Sequence, residues 1–281
     1  FKKPRPSKNF AYFLGALAGD GYVSKNTLVL SVTQKDFALH FKEVGQSLFD
    51  MEASFYHYIL DNPNHNDVFS VVFHSKSLAE WIGDFKGGQW HKTIKEKYSW
   101  ILERDCYKIS FLNGYFDSEG SVENMKKSKN TRYMRCRISI GYWEPAFFLT
   151  HMLCSLGIKS SYYIRPSTGM VKDIVIIESS NVINFCNMID SSIDYKKERI
   201  EYIRKIKIID HSEYIKNLYE RYKELIKFNG CSATYKQLIK EGYGDHQYYK
   251  ITLSRVRNWT YDNQNPLNSK GGYTYNIIFP D

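Results

Sequence analysis

Residues 13–21 of the chain read Phe-Leu-Gly-Ala-Leu-Ala-Gly-Asp-Gly, and residues 112–120 read Leu-Asn-Gly-Tyr-Phe-Asp-Ser-Glu-Gly. Each stretch is a short apolar run that contains glycine and ends in an acidic residue followed by glycine, which leaves a helix readily. The acids Asp20 and Glu119 are 99 residues apart, as are Gly15 and Gly114. One such stretch alone is typical of a capped core helix, whereas two matched copies predict a duplicated unit.

The glycines inside these stretches indicate how the two copies pack. Interior glycine costs a helix about 1 kcal/mol relative to alanine, so Gly15, Gly19 and Gly114 predict that another backbone comes close. If the two helices pack in parallel, Asp20 and Glu119 meet at a shared C-terminal end, where the helix dipoles add negative charge. Carboxylate oxygens in such a place predict a divalent-cation site.

The two stretches resemble the paired motifs of the LAGLIDADG homing endonucleases in their single-chain form. The final acid of the motif falls on Asp20 and Glu119, and the resemblance implies that these residues hold Mg²⁺ for DNA cleavage. The earlier acidic position of the motif is Ala18 in the first copy and Asp117 in the second, and Asn113 stands where a small apolar residue is usual. Because that earlier position mainly caps and packs the helix, its loss at Ala18 is compatible with activity.

Hydrophobic periodicity predicts the same order of elements in both halves. In the first half, helical and alternating patterns follow each other at residues 10–19, 22–34, 37–48, 54–73 (with a turn at 62–64) and 77–85. We therefore predict an α+β fold of duplicated αββαββα half-domains related by pseudo-two-fold symmetry, which form a saddle of two antiparallel sheets. The predicted boundaries are 1–105 for the first half-domain, 106–210 for the second and 211–281 for a helical C-terminal extension.

Further catalytic residues follow from the resemblance. Aligning residue 75 with residue 179 places Lys92 opposite Lys196, and the resemblance implies that a lysine in each half reaches toward the scissile region. The adjacent Lys95 and Lys197 are alternatives. Gln34 matches a glutamine that orders the active-site water in the family, but its counterpart in the second half is Tyr142. The predicted catalytic residues are Asp20, Glu119, Gln34, Lys92 and Lys196.

The charge balance favours a polyanionic partner. The 281 residues include 39 Lys and Arg against 30 Asp and Glu, with a net charge of +9 and a pI near 9.1, which is typical of nucleic-acid-binding proteins. Antiparallel sheets can lie along DNA, and we expect contacts from the polar face of each sheet. The predicted DNA-binding residues are Tyr22, Ser24, Lys25, Asn26, Thr27, Lys35, Tyr56, Tyr58, Lys126, Lys127, Lys129, Arg132, Tyr133, Arg135, Arg137, Tyr163 and Arg165.

Other features narrow the class of protein. No apolar run reaches the length of a membrane span and no signal-like segment begins the chain, so we expect an intracellular protein with no membrane partner. The five cysteines are odd in number and scattered without a C-x-x-C spacing, which indicates neither a disulfide framework nor a zinc finger. Because one chain carries both motifs, we expect a monomer acting on double-stranded DNA.

Two interpretations remain open for the C-terminal extension, and two for the function. Basic helical patterns at 234–240 and 248–259 around a glycine turn resemble a helix-turn-helix, although a packing extension is also compatible with them. The preferred function is an intron-encoded, site-specific endonuclease that makes a double-strand break. The alternative is a non-cleaving protein on the same scaffold, either an RNA-splicing maturase or a DNA-binding regulator. The presence of both acids favours the nuclease over these and over a basic structural protein.

Overall fold

The computed structural model describes residues 1–59, 66–85, 88–128, 131–244, 251–262, 266 and 275–278. The chain divides into two compact units, Phe1–Arg204 and Lys205–Asp281. The first unit contains both copies of the motif. The division falls a few residues before the boundary predicted between 210 and 211.

The first half of the larger unit alternates helices with strand pairs as predicted. Its elements are α1 (Lys8–Asp20), β1 (Gly21–Val23), β2 (Thr27–Val32), α2 (Lys35–Phe49), β3 (Ser54–Tyr58), β4 (Val68–His74), α3 (Lys76–Ile82), α4 (Trp90–Lys97) and a 3₁₀ turn (Ser99–Leu102). The Ser7 side chain caps α1 by accepting a hydrogen bond from the Phe10 N–H, so the motif helix begins at a favourable N-cap. The turn predicted at 62–64 lies outside the described residues.

The second half repeats this order. Its elements are α5 (Asp105–Glu119), β5 (Gly120–Ser128), β6 (Thr131–Ser139), α6 (Trp143–Ser155), β7 (Ser161–Ile164), β8 (Val171–Ile176), α7 (Ser179–Met188) and α8 (Asp194–Arg204). The first hairpin is longer than its counterpart because both of its strands are longer. This accounts for the change in spacing between matched residues of the two halves, from 99 residues before the hairpin (Asp20 and Glu119) to 108 after it (Gln34 and Tyr142).

Both halves form a four-stranded antiparallel sheet with the same topology. The strand orders are β1-β2-β4-β3 and β5-β6-β8-β7. Alternate residues of the central strands, such as Leu28, Leu30 and Ile138, are buried, while their neighbours point to the other face, as expected for a sheet with one covered face. The predicted α+β fold with two matched half-domains is confirmed.

One helix in each half was not predicted. α4 and α8 are rich in lysine and glutamate, and their apolar residues are too few to give a clear pattern, so sequence periodicity alone left them as connections. Each one nevertheless buries a single stripe, such as Trp90 and Ile94 on α4. These helices position residues at the site described below.

The smaller unit is mostly helical. It contains β9 (Lys207–Asp210), α9 (Ser212–Ile226), α10 (Cys231–Leu238), a π-helical turn (Ile239–Tyr243), α11 (Leu253–Tyr261) and β10 (Tyr275–Ile278). β9 and β10 pair antiparallel, a sheet that sequence patterns did not reveal. Within the described residues of the whole chain, none of the helices has both the length and the apolar character needed to span a membrane.

Candidate active site at the paired helix ends

The two motif helices pack directly against each other, backbone to backbone. A Cβ atom added at Gly15 would collide with the carbonyl oxygen of Phe111, and one added at Gly114 would collide with the carbonyl oxygen of Tyr12. The Ser118 hydroxyl also donates a hydrogen bond to the Ala16 carbonyl, at 3.1 Å. Residues later in α1 contact residues later in α5, so the two helices are parallel. The predicted close approach of their backbones is confirmed.

This packing places Asp20 and Glu119 together at the C-terminal end of the helix pair. Burial, together with the nearby negative charge of Asp20, raises the pKa of Glu119 to about 7. Burial also raises the pKa of Asp20, although much of that residue is exposed and the charge of Lys196 acts in the opposite direction. Two carboxylates whose charged forms are disfavoured in this way are suited to bind a cation, which offsets their repulsion.

Lys196 supplies a positive charge that acts on both of these acids. It lies on α8, is only 3% exposed, and donates hydrogen bonds from Nζ to the carbonyl oxygens of Phe116 at 2.9 Å and Asp117 at 2.7 Å. Burial lowers its pKa to about 8, against the opposing effect of the charges of Asp117, Asp20 and Glu119. The ammonium group is therefore fixed at the end of α5 beside the acid pair.

Asp117, two residues before this end of α5, has a structural role in the fold. It is 1% exposed and accepts hydrogen bonds from the Tyr12 hydroxyl at 2.6 Å, from the Ser192 hydroxyl at 2.7 Å and from the Ser191 hydroxyl. These bonds join both motif helices to the segment that precedes α8. The prediction that this motif position serves packing agrees with the contacts of Asp117.

The first half replaces this polar cluster with apolar packing. Trp90 lies where Ser192 lies in the other half, with its ring 5.7 Å from the ring of Phe111 and 5.3 Å from that of Tyr115. Ala18 and Trp90 line the same open cavity. A buried carboxylate at position 18 would face an indole ring instead of hydroxyl donors, which explains why alanine suits this position.

The burial pattern also aligns the two lysine-bearing helices. In the first half the buried positions are His91, Ile94, Tyr98 and Ile101, and in the second half they are Ile193, Lys196, Ile200 and Ile203. All four pairs are 102 residues apart, so Lys196 corresponds to Ile94. Lys92 is exposed on α4, two residues earlier. The sequence alignment paired Lys92 with Lys196 because it kept the spacing of 104 residues beyond α3. The connection before α4 is two residues longer than the one before α8, so the spacing falls to 102.

The arrangement of two acids at the ends of tightly packed, glycine-containing helices has a counterpart among known families. Residues 107–190, which include most of α5 and the whole second sheet, match the family model described as a LAGLIDADG-like domain. The second half of the larger unit therefore carries a LAGLIDADG-like domain.

Several proteins are similar to this chain. An uncharacterized protein of Methanocaldococcus jannaschii is 33% identical over 172 residues, which are 58% of this chain and 59% of the relative, so the match spans well under two thirds of that protein. A structure of the homing endonuclease I-WcaI bound to its DNA recognition sequence is 16% identical, with 70% of this chain and 88% of that chain covered and a TM-score of 0.48. I-DmoI in complex with DNA and Ca is 19% identical, with 65% and 88% covered and a TM-score of 0.46.

The predicted water-ordering position differs between the two halves of the larger unit. Gln34 is the N-cap residue of α2 and Tyr142 is the N-cap residue of α6. The two residues, 108 positions apart, therefore occupy equivalent positions in the two halves, as predicted. Tyr142 is 49% exposed and lines, together with Tyr22 and Glu119, an open cavity of about 460 Å³. The acid of the second copy therefore faces a phenol ring from α6.

The outward face of the first sheet carries several of the predicted DNA-contacting residues. Tyr22, Tyr56 and Tyr58 are exposed, at 49%, 41% and 51%, and the strand register places all three on the face away from the core. Ser24 and Thr27 join their side chains by a 2.7 Å hydrogen bond across the turn between β1 and β2. The remaining residues, Lys25 and Asn26 in that turn and Lys35 at the start of α2, are exposed.

The outward face of the second sheet is partly neutralised by acids. Arg135 pairs with Glu123 at 2.6 Å, and Arg137 pairs with both Glu123 at 3.1 Å and Asp173 at 2.9 Å. Sequence analysis missed Asp173, which is 1% exposed and lies on β8, opposite Ser139. Because side chains alternate between the two faces along a strand, the position of Asp173 in β8 places it on the outward face. That alternation was the sequence signal that could have identified it.

The other predicted contacts of this sheet lie toward its edges. Tyr163 and Arg165, at the end of β7 and just after it, are exposed. Residues 126 and 127 belong to β5 and residues 132 and 133 to β6, and nothing further is described of their side chains. Lys129 lies outside the described residues.

Proposed function

We propose that this protein is a site-specific DNA endonuclease that cuts both strands of a long duplex target by divalent-metal-dependent hydrolysis. The observation that carries the proposal is the juxtaposition of Asp20 and Glu119 at the joined helix ends, with the Lys196 ammonium beside them. The LAGLIDADG-like domain at residues 107–190 supports it.

The donor set fits a divalent cation, for which Mg²⁺ is the proposed ion. Asp20 and Glu119 offer hard oxygen ligands, and among the described residues no third His, Cys, Asp or Glu joins them. This suits Mg²⁺, which usually keeps several waters and shares its coordination with substrate phosphate. When bound, the ion would supply activation of the attacking water and stabilisation of the charged phosphate.

Lys196 adds a fixed positive charge to this chemistry. An ammonium group has three N–H donors, and the carbonyl oxygens of Phe116 and Asp117 accept two of them. We propose that the third points toward the phosphate or its attacking water, where it would stabilise negative charge that develops during hydrolysis. Gln34 is proposed to orient that water in the first half.

The two outward sheet faces are proposed to contact the DNA on either side of the cut. The exposed tyrosines of the first sheet and the arginines of the second provide groups for phosphate and base-edge contacts. Since one chain carries both acids, the protein is proposed to act as a monomer. A nuclease of this kind would be encoded within an intron and act on DNA inside the cell.

Selection from a library tests the proposal without knowledge of the target. Duplexes with a long randomised segment are incubated with the protein and Mg²⁺, and molecules with newly cut ends are sequenced; EDTA replaces Mg²⁺ in a parallel reaction. The proposal expects a single enriched sequence with breaks in both strands, and no enrichment with EDTA. Recovery of cut ends that does not require metal would refute it.

A protein that no longer makes a double-strand break is the second candidate. The observation in its favour is the inequality of the halves, since Ile94 stands where Lys196 stands and Tyr142 stands where Gln34 stands. A DNA-binding regulator would enrich a bound sequence without cut ends, whereas an RNA-splicing maturase would bind intron RNA in preference. A nick confined to one strand would show that only one half retains its chemistry.

A further inference from the structure

The smaller unit is a three-helix module with a core of its own. α10 packs against both α9 and α11, and the Trp259 ring lies 5.6 Å from Tyr219 and 5.2 Å from Tyr222. The buried residues of this core are Ile215, Leu218, Tyr222, Cys231, Leu238, Ile251, Val256 and Trp259. Three short helices around one core are an arrangement in which the third helix is free to enter a DNA groove.

Charge is distributed unevenly over the three helices. The exposed residues of α9 and its C-cap carry both signs: Glu213, Lys216, Glu220, Lys223, Glu224 and the C-cap residue Lys227. Glu241, after α10, is paired with Arg221 of α9 at 2.8 Å. By contrast, neither α10 nor α11 contains an acidic residue within its helical bounds. Within their helical bounds α10 and α11 therefore carry basic side chains and no acid, and the exposed Asp262 follows α11 as its C-cap residue.

α11 presents a continuous polar stripe to solvent. Val256 and Trp259 face the core, while Ser254, Arg257 and Tyr261 are exposed, with Tyr261 at 74%. Their spacing of three and four residues places them on one face of the helix. The helix begins at Thr252, whose side chain accepts a hydrogen bond from the Arg255 N–H, so its N-terminal turn is well formed.

We propose that α11 is a recognition helix that enters the major groove of duplex DNA and reads base edges with Ser254 and Arg257. An α-helix fits the major groove, arginine bonds guanine O6 and N7 with two parallel hydrogen bonds, and serine bonds either purine or pyrimidine edges. The basic residues Lys236 and Lys240, on and just after α10, are exposed and are placed to contact phosphate.

The inference rests on the proposed function only in taking duplex DNA as the partner. It adds a second reading surface to the one assigned to the two sheets. The bound sequence should therefore contain a separate conserved block of about four base pairs, the span that one recognition helix reads. Loss of the α11 contacts should erase this block and leave the sequence read by the sheets unchanged.

The test is a binding selection with the full-length chain in EDTA, so that cleavage has no part in it. A pool of randomised duplexes is bound and sequenced for the wild type, for a Ser254→Ala/Arg257→Ala variant, for Arg257→Lys and for a control, Lys216→Ala/Lys227→Ala. The control removes two exposed lysines of the same module, one on α9 and one at its C-cap. Circular dichroism and thermal melts confirm that each variant is folded.

We expect wild type and control to enrich a sequence containing the separate block. The double variant should lose the block and bind the wild-type sequence about 5- to 150-fold more weakly, the range for a lost bidentate base contact. Arg257→Lys retains the charge without the planar fork, so it should keep affinity for random duplex while relaxing the base preference in the block.

Three results would overturn the inference. One is a wild-type selection without a separate block. Another is a block that persists in the folded double variant or disappears equally in the α9 control. The third is tighter binding of this surface to a structured RNA than to any selected duplex, which would assign α11 to RNA. Because no metal is present, failure here is distinguishable from failure of the cleavage proposal.

Discussion

Replacing Glu119 by glutamine is expected to stabilise the metal-free protein while removing the proposed nuclease activity. The pKa of this carboxyl is raised from 4.5 to about 7, and each pKa unit corresponds to about 1.36 kcal/mol. The full shift would therefore cost about 3 kcal/mol above pH 7, and screening by solvent at this partly exposed site reduces it to about 2 kcal/mol. A neutral glutamine avoids that cost.

The sign of the effect depends on pH in a defined way. A carboxyl whose pKa is raised on folding favours the folded state at low pH, and that advantage is lost as the pH rises from about 4.5 through 7. At pH 8 without metal, Glu119→Gln should therefore melt about 4–8 °C above the wild type. Near pH 4 the two proteins should melt together.

Thermal melts at pH 4, 6 and 8 in EDTA measure this difference. Glu43→Gln, at an exposed position on α2, is the matched control and should show no pH-dependent gain. Added Mg²⁺ should stabilise the wild type more than Glu119→Gln, because only the wild type keeps both carboxylates. A variant that melts at or below the wild type at pH 8 would refute the reasoning that burial and repulsion strain this pair.

Three further perturbations test other parts of the structure. Lys196→Met should slow cleavage at least tenfold with little loss of binding. Strand-resolved gels compare it with Lys92→Met, and equal cleavage by the two variants would show that the burial of Lys196 is irrelevant. Glu123→Gln removes the carboxylate that pairs with Arg135 and Arg137, while the pair of Arg137 with Asp173 remains. Affinity for random duplex should therefore rise and its salt slope should steepen by about 1; an unchanged slope would exclude these arginines from phosphate contact. Gly114→Val should destabilise the fold by about 3 kcal/mol or more because of its collision with the Tyr12 carbonyl, whereas Gly141→Val, at an open position, should cost far less in the same denaturation assay.

The duplicated architecture could be predicted because its signals are local and repeated. The motif helices have interior glycines whose cost demands a compensating contact, and that contact fixed their pairing and the meeting of Asp20 with Glu119. The hairpins followed from alternation along short strands. Each of these inferences needed only a residue's neighbours in sequence and a symmetric partner.

The features that sequence missed depend on distant contacts. The equivalence of Lys196 with Ile94 depends on burial beyond a connection of unequal length, which an offset between sequences cannot detect. The neutralisation of Arg137 depends on Asp173, from a strand that is not its neighbour in sequence. The pairing of β9 with β10 joins segments at the two ends of the smaller unit.

Single-turnover cleavage of the selected duplex, measured for the wild type, Asp20→Asn and Glu119→Gln in Mg²⁺, tests the central claim most directly. Binding of the same duplex is measured in parallel in EDTA. The account predicts cleavage of both strands by the wild type, loss of double-strand cleavage in each variant and unchanged binding in both. Double-strand cleavage near the wild-type rate in either variant would contradict the assignment of the acid pair as the metal site.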